Sequence, residues 1–271
     1  MSRREQNWVT IGFVVFGLLL ASVITLPTRL ITLTVLGSEL NLSINTKIQF
    51  GILLTALVCL GTEMAVRTHP NLPDRSFGYS FTFWILPGVI TFSSFMILSS
   101  ITGWPLRVGF IALVALLLSL VLSMQYHTMD YSGRWAWPAR LTLQVAVYLA
   151  ALIFFVVISS SPMRAIVSAT SVLVVSAMLS LELIRELESD SKRIWLYALI
   201  IGLVMSESKW ALNYIKIDAR AGGATLLLMF YLVTGLTRSM LRKRLSGRII
   251  MEYVFIVIFC VFLLLLVNHW L

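Results

Sequence analysis

Apolar residues form long uninterrupted runs along most of this chain, and short polar stretches separate them. A helix that crosses a bilayer core of about 30 Å needs roughly 20 apolar residues. The runs lack the in–out alternation of barrel strands, so they predict an all-α integral membrane bundle. Nine runs fit, with eight spans as the alternative: Trp8–Leu26, Lys47–Val66, Phe81–Ile101, Leu106–Tyr126, Pro138–Ser159, Met163–Ile184, Ile194–Tyr214, Gly222–Leu241 and Ile249–Trp270.

The connection after the first span has the pattern of a small β-hairpin at about residues 31–44. Two stretches, 31–36 and 39–44, alternate apolar and polar residues with period two, and Gly37-Ser38 lies between them. A glycine at the first position of a two-residue connection is typical of a type II′ turn. The pattern therefore predicts an extracytoplasmic hairpin in which these residues are paired: Val35 with Leu40, Leu33 with Leu42 and Ile31 with Ile44.

Composition agrees with a membrane protein, because 59% of the residues are hydrophobic, only 12% are charged and the mean hydropathy is +0.92. A soluble domain has roughly a quarter charged residues, so a single water-soluble core, a coiled coil and a disordered chain are excluded. The net charge of +9 indicates basic cytoplasmic loops rather than a nucleic-acid surface. We therefore expect the lipid bilayer as partner, together with other membrane protein subunits, and no nucleic acid.

The distribution of basic residues indicates how the spans are oriented. With a cytoplasmic N-terminus, most of the 21 lysines and arginines fall on the inner side, as the positive-inside rule requires. The first span follows Arg3-Arg4 as a secretory signal would, but it is long and ends without a clean cleavage site, so we expect it to be retained. The prediction is one membrane domain over residues 1–271 in the plasma membrane (the cell inner membrane), with an extracytoplasmic C-terminus.

Three carboxylates inside predicted spans have a basic residue one helical turn away. Ionisable groups at membrane depth cost roughly 2.5–3.5 kcal/mol, so each is a candidate for function. The pairs are Glu63 with Arg67, Glu182 with Arg185 and Glu252 with Arg248. Residues three or four positions apart meet on a helix surface, so this spacing favours structural ion pairs over chemistry.

The seventh span crosses a membrane only if its helix continues through Glu207 and Lys209. Ended at Met205, the helix would have about 12 residues, which is too short. Continued to Tyr214, it carries both charges below the outer surface on different faces. We expect Lys209 to extend outward to water and the shorter Glu207 to take a buried partner. The candidate buried polar site, as a structural network or as a ligand or proton site, consists of Glu207, Lys209, Asn213, Arg164 and Arg220.

Two predicted inner loops carry a second candidate cluster, which consists of His69, Asp74, His127 and Asp130. Convergence of these side chains would make a fragment of a metal or phosphate site. Cys59 and Cys260 lie in apolar runs and are typical of small buried hydrophobic residues. Since HExxH, GxSxG, P-loop and CxxC motifs are missing from the sequence, no catalytic residue, cofactor or metal ligand is assigned.

Several short motifs resemble an uncharacterised family of bacterial polytopic membrane proteins, a domain-of-unknown-function group. They are Leu26-Pro27-Thr28-Arg29, Leu36-Gly37-Ser38, Gly61-Thr62-Glu63, Glu207 with Trp210-Ala211-Leu212-Asn213-Tyr214, Gly222-Gly223, Phe230-Tyr231 and Gly235-Leu236. The resemblance spans nearly the whole chain. It implies a bacterial membrane protein and supplies no activity.

Three functions stay open at this point, and an enzyme is the least favoured. The leading interpretation is a non-enzymatic accessory or scaffold subunit of a membrane complex, because the sequence carries no catalytic motif. The alternative is a transporter or small-ligand-binding protein that uses the Glu207 region. A second alternative is an enzyme that acts on lipid headgroups at the inner leaflet. A polar cavity at Glu207 would favour the transporter, and convergence of the histidines and aspartates would favour the enzyme.

Overall fold

The structure is a computed structural model of the chain. It describes residues 3–23, 28–35, 38–67, 77–98, 100–128, 136–161, 164–185, 191–214 and 218–242, and a few single residues besides. Along these residues, eight helices and two strands follow in the order α1 (Arg3–Val23), β1 (Thr28–Val35), β2 (Ser38–Asn45), α2 (Thr46–Arg67), α3 (Phe77–Leu98), α4 (Trp104–Thr128), α5 (Ala136–Ser160), α6 (Ala165–Ile184), α7 (Ser191–Leu212) and α8 (Ala219–Leu241).

Each of the first eight predicted spans overlaps one of these helices. Seven helices, α2 to α8, are long and apolar enough to cross a membrane within the part of the chain that the structure describes. The apolar part of α1, Val9–Val23, is shorter. The ninth predicted span, Ile249–Trp270, lies almost wholly outside the described residues, so the described part of the chain supports eight helices and the ninth stays a prediction.

The chain divides into two compact units, Met1–Thr142 and Leu143–Leu271. In the first unit α3 is the buried centre, and it packs against α1, α2 and α4. Its side chains Phe83, Leu86 and Thr91 are almost fully buried. Close approach of α1 and α2 depends on Gly61, because a Cβ there would collide with the side chain of Thr10.

The second unit contains most of α5 together with α6, α7 and α8. Its centre is aromatic: Phe155 and Phe230 are fully buried, and their rings meet edge to face with centroids 6.0 Å apart. Tyr148 adds a second edge contact to Phe230 and a hydrogen bond between its hydroxyl and that of Thr234, 3.1 Å away. The division leaves the predicted single domain over 1–271 untested, and it stays a prediction.

Contacts between helix ends fix the helix directions inside each unit. In the first unit, Arg107 near the start of α4 donates to the carbonyl of Ser22 near the end of α1, at 3.0 Å. The end of α4 lies beside the start of α3, because the Gln125 amide donates to the carbonyl of Phe83 at 3.1 Å. Consecutive helices α3 and α4 therefore run in opposite directions. In the second unit, Gly223 near the start of α8 lies against Val156 near the end of α5, so α5 and α8 also run in opposite directions.

The two strands are antiparallel, but their register differs from the predicted one. The structure pairs Leu33 with Leu40 and Ile31 with Leu42, while Val35 lies opposite Ser38. The connection is therefore residues 36–37, and the predicted pairing of Val35 with Leu40 is wrong. A shift of two residues leaves the period-two alternation intact, so the apolar pattern could not separate the two registers and the turn decided the prediction.

Candidate functional site at the end of the second unit

Helix α7 continues through the segment that sequence reasoning singled out. It runs without interruption from Ser191 to Leu212, so it does not end at Met205, and both Glu207 and Lys209 are helical. Each residue of a helix is turned by about 100° around the helix axis from the one before it, so residues two positions apart point about 200° apart. Glu207 and Lys209 must therefore point to opposite sides of α7.

Glu207 lies on the exposed side of α7. The residues Leu196, Ile200, Leu203, Glu207, Trp210 and Tyr214 are all exposed and are spaced alternately four and three apart. We call this row the outward row of α7. At about 100° per residue, each of these six side chains lies within about 40° of their mean direction around the helix axis, and Glu207 lies close to that mean. The expectation that Glu207 is buried is wrong, because its face of the helix points away from the rest of the second unit.

Lys209 is the buried charge instead. Its residue is only 7% exposed, and its Nζ atom lies 3.5 Å from the Oγ atom of Ser159 on α5. The expectation that Lys209 extends outward to water is therefore wrong as well. Because a helical Cα–Cβ bond leans toward the N-terminus of its helix, the side chain starts toward the interior of the unit and not toward the nearby helix end.

Ser159 differs from the two serines that follow it. The hydroxyls of Ser160 and Ser161 donate to carbonyls four residues earlier in their own segment, each at 2.8 Å. The hydrogen bond that the structure gives for the Ser159 hydroxyl is the one from Lys209. Ser159 thus offers its hydroxyl to the space between α5 and α7, where it serves as both donor and acceptor.

Asn213 lies one turn beyond Lys209, on the same side of α7, as the sequence predicted. Its Nδ2 atom donates to the Oγ atom of Ser168 on α6 at 3.4 Å, and Ser168 is buried. The end of α7 is therefore bonded to two other helices, through Lys209 to α5 and through Asn213 to α6. Asn213 itself is exposed.

The first turn of α8 closes the same end of the unit through two glycines. A Cβ on Gly223 would lie 2.8 Å from the backbone N and Cα atoms of Val156, so only glycine permits this approach. A Cβ on Gly222 would lie 3.8 Å from Ser159 Oγ, which is ordinary contact. Gly223 is therefore the residue that lets the backbones of α5 and α8 approach closely.

The two arginines of the predicted site, Arg164 and Arg220, are both exposed. Arg164 precedes α6 as its N-cap without a side-chain cap bond, and Arg220 lies in the first turn of α8. Asp218 caps α8 by accepting from the backbone amide of Arg220 at 3.2 Å. Among the described residues, the ion pairs that the structure gives are two, and neither involves Glu207 or Lys209.

Those two ion pairs confirm the predicted pairing of Glu63 and Glu182. Glu63 pairs with Arg67, and Glu182 pairs with Arg185 at 2.8 Å. Glu63 also accepts a hydrogen bond from the indole Nε1 of Trp84 on α3, at 2.7 Å. Sequence reasoning missed this third member, because it lies 21 positions away on another helix. Glu252 and Arg248 lie outside the described residues.

The second candidate cluster falls mostly on residues that the structure does not describe. His69, Asp74 and Asp130 are among them, and only His127, half-buried in the last turn of α4, has a described position. Within the described ranges, the structure has no group of three or more histidine, cysteine, aspartate or glutamate residues that could hold a metal. The inner-face cluster therefore stays a prediction.

A family model described as a protein of unknown function, DUF5656, matches residues 26–267. The chain belongs to this family. The match covers the chain from the end of the first predicted span through most of the ninth, so the predicted membership of an uncharacterised family is confirmed. None of the curated proteins and none of the solved structures matches the chain.

Proposed function

We propose that the protein is a multi-pass membrane protein that acts as a non-catalytic scaffold subunit and associates with a second copy of itself through the outward row of α7. Seven helices among the described residues are long and apolar enough to cross a membrane. Large apolar side chains are exposed on most of these helices, and lipid or another membrane protein would cover these side chains. The bilayer and a second copy of the chain are the proposed partners.

The proposed location is the bacterial plasma membrane, with nine spans, a cytoplasmic N-terminus, an extracytoplasmic C-terminus and the β1–β2 hairpin on the outside. Two observations support this arrangement. Basic residues concentrate in alternate connections, as the positive-inside rule requires. Antiparallel neighbours such as α3 and α4 are what successive spans with short connections produce.

The proposal that a second copy of the chain is the partner rests on the position of Glu207. A carboxylate facing lipid is costly, by roughly 2.5–3.5 kcal/mol on insertion scales. Glu207 lies five residues before the end of α7 at Leu212, which is about 7.5 Å at 1.5 Å per residue. Its side chain leans toward the N-terminus of α7, away from that end, so it reaches the aqueous boundary poorly. A hydrogen-bond donor on a partner helix would remove most of this cost.

A second copy of α7 supplies such a donor. Trp210 follows Glu207 by one turn on the outward row, and the residue is 54% exposed. The residues of the outward row are spaced alternately four and three apart, which is the spacing with which two parallel helices pack side by side. In such a contact, one polar position fixes how the two helices are aligned along their axes. In that packing the indole N–H of Trp210 borders Glu207 of the other copy. The same bond already occurs inside the chain, from Trp84 to Glu63 at 2.7 Å.

Cysteine crosslinking in membranes tests the proposal. In a background with Cys59→Ser and Cys260→Ser, Leu203→Cys on the outward row should form a disulfide-linked dimer under mild oxidation. The matched control is Val174→Cys, an exposed apolar position on α6 (47% exposed) that should stay monomeric. Glu207→Gln should keep the dimer, because the amide still accepts the indole bond.

Glu207→Leu should weaken association roughly 30-fold to 1,000-fold, since the symmetric dimer loses two hydrogen bonds and each bond between membrane helices contributes about 1–2 kcal/mol. Equal crosslinking at Leu203 and Val174 would reveal random collision and contradict the proposal. So would a Leu203→Cys chain that stays monomeric at every oxidant concentration at which a known membrane dimer crosslinks.

A further inference from the structure

We propose that Lys209 and Ser159 form a binding site for an anionic phosphate group at the end of the second unit where α5 and α7 end and α6 and α8 begin. The observation behind the site is independent of the outward row, because Lys209 lies on the opposite side of α7. An ammonium has three N–H donors and no acceptor. Lys209 is 7% exposed, and the one hydrogen bond that the structure gives for it among the described residues is the 3.5 Å contact with Ser159.

A buried ammonium with one long hydrogen bond is under-satisfied. Hydrogen bonds from a charged nitrogen to oxygen are normally about 2.7–2.9 Å long, so the 3.5 Å contact leaves most of the donor capacity of Lys209 unused. Burying a charge without a partner is strongly unfavourable. Acidic side chains do not compensate it among the described residues, because Glu207 points to the other side of α7 and Asp218 is exposed and caps α8. An anion from outside the chain would supply the missing charge and acceptors.

The groups around Lys209 suit a tetrahedral anion. The Ser159 hydroxyl lies beside the first turn of α8, 3.8 Å from the Cβ position of Gly222. A helix start presents backbone amides without partners inside the helix and a positive partial charge. At α8 the amides of Arg220 and Gly222 are bonded to Asp218, and the proposed ligand would accept from those of Ala219 and Ala221. Arg164 and Arg220 add two exposed positive charges at the same end.

If Lys209 binds a ligand, Lys209→Met should change the thermal stability of the protein in a different way than if Lys209 were purely structural. Without ligand, the variant should unfold at the same temperature as the wild type or higher, because it loses a buried charge and only one long hydrogen bond. With ligand, only the wild type should gain stability. A structural lysine would make Lys209→Met less stable under every condition.

The experiment measures thermal unfolding of the purified full chain by tryptophan fluorescence. One series adds inorganic phosphate to protein in a neutral detergent; the other compares nanodiscs of phosphatidylglycerol with nanodiscs of phosphatidylcholine. Lys192→Met is the matched control, since Lys192 is exposed in the first turn of the same helix. At a ligand concentration about 100 times its Kd, the wild type and Lys192→Met should gain roughly 5–10 °C.

The two series separate the two sources of phosphate. Stabilisation by phosphatidylglycerol alone identifies a lipid headgroup, whereas stabilisation by inorganic phosphate identifies a soluble anion. In either case Lys209→Met should lower the affinity about 10-fold to 100-fold, because a hydrogen bond to a charged group is removed. Stabilisation that Lys209→Met retains, or no stabilisation of the wild type in either series, would overturn the site.

Discussion

Replacing Gly223 of α8 by alanine should destabilise the second unit, although alanine normally favours a helix. The new Cβ would lie 2.8 Å from the backbone N and Cα atoms of Val156, and backbone cannot rotate away as a side chain can. Overpacking of this kind costs about 1–3 kcal/mol, and the gain in helix propensity offsets up to about 1 kcal/mol of it. Because the collision is with backbone atoms, we take the upper part of the first range, about 2–3 kcal/mol, and the net loss is about 1–2 kcal/mol.

Two matched variants isolate the cause of this loss. Gly222→Ala lies one residue earlier, where the Cβ would make an ordinary 3.8 Å contact, and Gly109→Ala on α4 places its Cβ in open space. Thermal unfolding in detergent, followed by tryptophan fluorescence, should show Gly223→Ala melting roughly 2–8 °C below the wild type, at about 2–4 °C per kcal/mol. The other two should melt at or above it. If Gly223→Ala melted together with Gly222→Ala, the close approach of α5 and α8 would be refuted.

Two further predictions concern the first unit and the hairpin. Glu63→Leu should destabilise the protein by about 2–3 kcal/mol in thermal unfolding, because it removes the carboxylate that accepts from the indole of Trp84. Glu63→Gln keeps an acceptor at this place and should cost about 1 kcal/mol, so equal losses would contradict the role of that bond. In a background without Cys59 and Cys260, a cysteine pair at Ile31 and Leu42 should oxidise faster than a pair at Ile31 and Ile44, because the first pair is opposed across the strands. Faster oxidation of the second pair would restore the register that the turn had predicted.

The positions of the helices could be predicted from the sequence because each helix depends on the apolar composition of its own segment. A run of about 20 apolar residues forms a helix in a membrane regardless of its neighbours, since backbone groups must bond within the segment. The continuation of α7 through Glu207 followed from length alone, because a helix ended at Met205 would have been too short.

The inward side of α7 was not identified, although the sequence carries a signal for it. Ala198, Gly202, Met205 and Lys209 are spaced four, three and four apart and are all buried. Small residues one turn apart allow close packing of helices, and a Cβ on Gly202 would lie 2.7 Å from the carbonyl oxygen of Leu173 on α6. The Ala198–Gly202 pair therefore marks the inward side, and Lys209 continues that row.

Other features depend on contacts that a single sequence does not encode locally. The bond from Trp84 to Glu63 joins two helices, and its geometry follows from how α2 and α3 pack. The bond from Lys209 to Ser159 joins residues 50 positions apart. In the hairpin, two registers fit the same alternation equally well, so a wrong choice of turn moved every pair by two residues.

The most direct test of the proposed scaffold is the mass of the protein taken from membranes into native nanodiscs without prior detergent. Native mass spectrometry of the wild type should give twice the 30.4 kDa of one chain, and Glu207→Gln should give the same. Glu207→Leu should shift the population toward a single chain, because the bond from Trp210 of the other copy is lost. A wild type that has the mass of one chain, or a Glu207→Leu variant as dimeric as the wild type, would contradict association through the outward row of α7.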